Sequence, residues 1–219
     1  MWGADITPET STAFASFFSF MCSYDAGYGG DVGQYRKIDA RLYDSMNPTD
    51  VRKKLFKHTS TGVQYTPQEA AFPEYTNIKF KKVANWEADY VYMRVSEMIL
   101  TEAEALAHKG DYTGAAQVLK ELMSQRDPSW KANSVTADDV YQQRRLELWG
   151  EGFSLFDHLR LKKGIDRNYE GSNHLSSARY TIDAGSWYFL YQLPLRELDN
   201  SDAIDASEQN PAPTESKFK

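Results

Sequence analysis

At 219 residues with 41% hydrophobic content, the chain is long enough to bury a sizeable core as one domain. A net charge of −6 and a pI of about 5.3 argue against a nucleic-acid partner, so Arg52-Lys53-Lys54, Lys79-Lys81-Lys82 and Arg160-Lys162-Lys163 read as solvated clusters, not one phosphate-binding face. With a mean hydropathy of −0.62 and no apolar run of about 18 residues there is no membrane-spanning helix, and the lone Cys22 excludes an internal disulfide.

Residues 1–89 read as loop-rich. Thr7-Pro8-Glu9-Thr10 followed by Phe14 to Phe20 predicts a short helix or an apolar packing segment. Cys22 follows this stretch as a lipid-attachment site would, but no Lys or Arg precedes Arg36 and Met21 is not the small residue a cleavage site needs. A buried free thiol is the expectation. Next comes Tyr24-Asp25-Ala26-Gly27-Tyr28-Gly29-Gly30-Asp31, too glycine-rich for a stable helix and so an exposed loop. Flat rings can stack on the apolar face of a sugar while their polar tips bond its hydroxyls. Tyr24 and Tyr28 are therefore candidate ligand contacts, with Trp2 and Asp25 beside them in sequence; Asp25 and Asp31 could equally terminate turns. Further along, Ile38–Tyr43 and Thr49–Phe56 predict short helices, and Ile78–Val83 a strand.

Residues 90–163 carry the strongest periodicity. Val91, Val95, Ile99, Ala103 and Leu106 recur at three- and four-residue steps and predict one buried helical stripe. His108-Lys109-Gly110 is a stop, with cations at the negative end of the dipole and glycine at the left-handed cap. Asp111 can cap a second helix whose Ala115, Val118, Leu119 and Leu122 share a face. The result is a helical hairpin of tetratricopeptide type, with Ala103, Ala105 and Ala107 allowing close approach. A lone hairpin cannot bury both faces, so a third helix, Ala137 to Leu161, is expected to cover it. Thr136 or Asp138 would cap its start, Leu146, Trp149, Phe153 and Phe156 would be core, and Leu148, Leu155 and Leu159 a second stripe. Arg144, Arg145, Glu147, Glu151, Asp157 and Arg160 are then charges beside a core and read as structural ion pairs. In residues 164–219 the chain is irregular, with a strand predicted at Trp187–Leu193, stopped by Pro194, and a loosely held tail after Ser207.

Two of these segments resemble the SusD/RagB family: Tyr92-Met93-Arg94-Val95-Ser96-Glu97-Met98 through Glu102-Ala103-Glu104-Ala105, and Arg144-Arg145-Leu146-Glu147-Leu148-Trp149-Gly150-Glu151-Gly152-Phe153 through Asp157-His158-Leu159-Arg160. The resemblance extends to Ile38-Asp39 through Lys54, to Asn77-Ile78-Lys79-Phe80, to Leu190 through Leu198 and to Asn210-Pro211, so it covers the C-terminal portion of the family across residues 1–219. The glutamate that usually precedes the paired arginines is Gln143 here. By implication the fold is mainly α, a tetratricopeptide-like α-α superhelical scaffold with a few short strands and long loops. The family likeness also implies non-catalytic binding of a glycan or oligosaccharide nutrient at the surface of the bacterial outer membrane, where full-length members are lipid-anchored, and delivery to a SusC-like TonB-dependent outer-membrane transporter.

No catalytic motif competes with that expectation. His58, His108, His158 and His174 show no zinc-binding spacing, and neither a Gly-x-Ser-x-Gly elbow nor a phosphate or dinucleotide loop is present. No metal or other cofactor is expected. An interaction scaffold without its own ligand site, and a glycoside hydrolase with two facing acids, are the alternatives.

Overall fold

The computed structural model describes residues 2–12, 16–24, 35–80 and 87–210; Asp25, Tyr28 and Asp31 lie outside them. The chain divides into two compact units, Met1–Glu151 and Gly152–Lys219. Among the described residues there are eight α-helices and two small two-stranded sheets. No helix of the described residues is long and apolar enough to cross a membrane.

Within the first unit, helices α1 (Phe17–Met21), α2 (Ala40–Asp44) and α3 (Pro67–Ala71) are short. Each begins at a side-chain cap, Ser16, Asp39 and Thr66, which satisfies backbone amides that a helix start leaves open. The expected 49–56 helix is a 3-10 turn, Val51–Leu55, capped by Asp50. The hairpin consists of α4 (Val95–His108) and α5 (Tyr112–Arg126), packed on each other. Gly110 turns the chain at φ 84°, and Asp111 caps α5 by accepting from Gly114 N at 2.8 Å. Leu100, Ala103 and Ala107 are buried on α4, and Ala115, Leu119 and Leu122 on α5; each fully buried leucine stabilises the pair by about 2 kcal/mol. As the hairpin requires, α6 (Ala137–Glu147) packs against α4, opened by a Thr136–Asp139 capping box.

The sequence expectations need correction at several points. Val91 is not helical: Tyr90–Met93 is strand β2, antiparallel to β1 (Trp2–Ala4), and Val95, at the mouth of α4, is 67% exposed. The buried stripe therefore runs through Leu100, Ala103 and Ala107, and Ala105 faces solvent. Nor is 137–161 one helix. It breaks after Glu147, where Gly150 and Gly152 take φ of 76° and 90°, a left-handed conformation that glycine adopts without strain. The helix resumes as α7 (Ser154–Arg160) in the second unit. There Phe156 is 65% exposed and Leu159 exposed as well, not core. No strand forms at 78–80, because Asn77 turns the chain: its Nδ2 donates to the carbonyls of Met21 and Arg36 and its Oδ1 accepts from Phe80 N. Residues 81–83 lie outside the described set.

The first unit's core cluster is Ile38, Leu42, Tyr43, Met46, Phe56 and Leu146, with Trp149 edge-on to Phe56 at 5.0 Å. Asp127, just past α5, anchors the 47–49 turn by accepting from Asn47 Nδ2 and Thr49 Oγ1, both at 2.6 Å. Burial pushes its carboxyl up, but those bonds and the ones from Ser129 outweigh burial and hold it at about 2. The second unit contains α7, the pair β3 (Ile165–Asp166) and β4 (Thr181–Ile182), and α8 (Leu195–Asn200). The strand expected at 187–193 is instead a 3-10 turn, Trp187–Phe189, begun by Ser186. Phe189 is buried there, stacked on His158 at 5.9 Å.

Candidate functional site

The first unit contains a cavity of about 680 Å³. One wall is aromatic. Tyr90 and Tyr92, two residues apart on β2, share one face of the strand; both line the cavity, Tyr90 partly buried and Tyr92 51% exposed. Tyr90 stacks on Phe18 at 6.1 Å and its hydroxyl accepts from Phe17 N at 3.2 Å. Phe80 meets Phe17 edge-on at 5.3 Å, which completes the wall. Strand β1 can approach because Gly3 has no side chain: a Cβ there would lie 2.4 Å from Tyr90 O. That approach brings Trp2, 64% exposed, to 5.3 Å from the Tyr92 ring, so two tilted aromatic faces flank the cavity wall.

The opposite wall is charged. Glu147, at the end of α6, accepts from Arg94 Nη1 at 2.7 Å and from Arg126 Nε and Nη2, both at 2.9 Å. Glu151 accepts from Arg94 Nε and Nη2, both at 2.8 Å, and pairs with Lys79. Lys79 also donates to the carbonyls of Glu147 and Trp149, satisfying the open end of the broken helix. Burial drives the Glu147 carboxyl up, yet the hydrogen bonds from Arg126 and Arg94 overcome it and hold the group at about 2. For Lys79 burial prevails and lowers the ammonium below its ordinary value, with Glu151 opposing. The structural ion pairs read from the sequence are therefore present at Glu147 and Glu151, and again at Asp157 and Arg160, 2.8 Å apart. Arg144 lies 4.0 Å from Glu97, while Arg145 bonds Gln142 and lies over the Tyr141 ring.

Of the candidate contacts named from sequence, Trp2 stands beside the cavity through Tyr92. Tyr24 belongs to a different contact set: its hydroxyl donates to Glu69 Oε1 at 2.6 Å and its ring is edge-on to Phe72 at 5.5 Å. Burial and the Glu69 carboxylate push its phenol above the ordinary range. Asp25 and Tyr28 lie outside the described residues. Sequence reasoning missed Phe17, Phe18, Phe80, Tyr90 and Tyr92. The aromatic and β-branched run at 90–92 was a strand signal hidden by the helical period that follows it. Among the described residues no group of three His, Cys, Asp or Glu side chains is arranged to hold a metal ion.

The sequence profile of the SusD family matches residues 23–212. The chain belongs to the SusD family. Several solved structures share its fold. A SusD-like carbohydrate binding protein from Bacteroides vulgatus is 25% identical with a TM-score of 0.70, the alignment covering 97% of this chain and 49% of that one. A SusD superfamily protein from the same organism is 24% identical with a TM-score of 0.76, covering 98% and 46%. One from Bacteroides thetaiotaomicron is 24% identical with a TM-score of 0.68, covering 96% and 48%. This SusD-family chain thus spans about half the length of the structures it matches. No curated protein gives a significant match.

Proposed function

We propose that this SusD-family chain binds an oligosaccharide in the cavity beside Trp2 and Tyr92, leaves it chemically unchanged, and passes it to a SusC-like TonB-dependent transporter at the bacterial outer membrane. The observation that carries this reading is the pairing of an aromatic wall with two carboxylates, Glu147 and Glu151, already committed to cations. Rings offer stacking surface for sugar faces, and the fixed ions offer polar partners for hydroxyls. A glycoside hydrolase needs a carboxylic acid that can donate a proton. Glu147 is held ionised by its arginines, and both of the Glu151 oxygens are engaged by Arg94 and Lys79. Family membership and the carbohydrate-binding relative support the same role.

Replacing Trp2 and Tyr92 together by Ala should weaken oligosaccharide binding about tenfold or more, roughly 1.4 kcal/mol, without changing the melting temperature, because both rings are exposed. Titration calorimetry checks it; undiminished affinity would remove the platform from the site. Tyr24, Asp25 and Tyr28 are proposed as a further ligand-facing loop. Its contribution is measured by Tyr24→Ala with Tyr28→Ala, expected to lower affinity, and wild-type affinity excludes the loop.

A second reading, an interaction scaffold without its own ligand site, is favoured by the exposure of Val95 and Met98 on α4 together with Met93 on β2. Transporter binding without sugar binding would establish it.

A further inference from the structure

The charged wall of the cavity has more donors than acceptors. A guanidinium carries five N–H donors and a carboxylate about four acceptor positions. Four cations, Arg52, Lys79, Arg94 and Arg126, form their ion pairs with three carboxylates, Asp50, Glu147 and Glu151. The remaining wall carboxylate, Asp89, accepts from Ile6 N and forms no ion pair among the described residues.

Arg52 shows the imbalance most clearly. It is 2% exposed, its Nε and Nη2 are bonded to Asp50, and its Nη2 also donates to the uncharged amide oxygen of Gln143 at 2.6 Å and to Met123 Sδ at 3.9 Å. Its Nη1 is buried without a hydrogen-bond partner, 3.6 Å from a Glu147 oxygen that Arg126 already occupies. Arg126, more open to the cavity, uses Nε and Nη2 on Glu147, and its Nη1 has no acceptor among the described residues. A buried donor left unmade is costly, and more so on a charged group. Neutral sugar hydroxyls bring donors as well as acceptors, whereas a carboxylate or sulfate brings acceptors and a compensating charge.

We propose that the oligosaccharide taken by this cavity is acidic, its carboxylate or sulfate accepting from Arg126 Nη1 in the arginine wall. This rests on the binding role proposed above and gives the chemical class of its ligand.

The test titrates the chain with a galacturonic acid tetramer, the methyl ester of that tetramer, a sulfated galactose tetramer and its unsulfated parent. An acidic form should bind about tenfold or more tightly than its neutral counterpart, and the preference should shrink as salt is raised. Whichever pair shows it identifies carboxylate or sulfate as the recognised group. Gln143→Glu, which places a negative charge beside Arg52, should lower affinity for the acidic form about tenfold and leave the neutral form unchanged. Arg126→Gln, which leaves Glu147 its bond to Arg94, should abolish the preference as well. Equal affinity for acidic and neutral forms would overturn the charge assignment while leaving glycan binding intact. Binding of none of the four would overturn both.

Discussion

Glu147 concentrates the electrostatics of the first unit in one side chain, because two arginines bond it, a third faces it and burial removes the water that would otherwise share the work. Removing a partner from such a set leaves charge buried without compensation. Glu147→Gln is therefore expected to destabilise the fold by about 3–5 kcal/mol, read from urea unfolding. The pH dependence has a definite sign. A carboxyl lowered from 4.5 to about 2 in the folded chain adds stability that is fully present above the unfolded value and is lost as pH falls through the folded one. On the order of 3 kcal/mol should disappear between pH 4.5 and 2, and the Gln variant should lose much less over that interval. Equal pH slopes in the two proteins would show that Glu147 is not the group responsible.

At the scale of elements, the aromatic platform depends on the β1–β2 pairing, and that pairing depends on Gly3. A methyl group there meets the Tyr90 carbonyl at 2.4 Å, a backbone atom that cannot rotate away. Gly3→Ala should cost about 1–3 kcal/mol and release Trp2 from Tyr92, lowering the melting temperature and weakening sugar binding together; a variant with unchanged values for both would mean that β1 contributes nothing to the site. The elements differ in how legible they were. The α4–α5 hairpin could be read because Gly110, Asp111 and the Ala/Leu spacing each act locally and agree. The break at 148–153 was signalled by Gly150 and Gly152, but the apolar periodicity across them concealed it. The pairing of strand β2 could not be read locally at all: its partner lies some ninety positions earlier in the chain, and no local pattern encodes a pairing of that range. The same holds for the cavity wall, where Phe17 and Phe18, Phe80 and Tyr90 meet only through the fold. The ion pairs were legible as a class because charges beside a core must be paired, while their partners, Arg94 and Arg126 with Glu147, were not.

Over the whole molecule, the SusD-family fold supplies a rigid helical hairpin, a third helix that covers it, and a cavity set between the end of that third helix and a two-stranded edge. Helices positioned by packing hold Arg94, Arg126 and Glu147 in fixed geometry, which is what a binding site needs to recognise a ligand without reorganising. In the proposed role, the committed Glu147 and Glu151 suit capture more than cleavage, and the exposed rings of Trp2 and Tyr92 would give a sugar a place to stack. The most direct test is calorimetric titration of the purified chain and of its Trp2→Ala, Tyr92→Ala double variant with an oligosaccharide panel, followed by chromatography of each sugar. Saturable binding that falls about tenfold in the variant, with the sugar recovered at its original length, is the predicted result. Wild-type affinity in the variant, or recovery of shortened sugar, would contradict it.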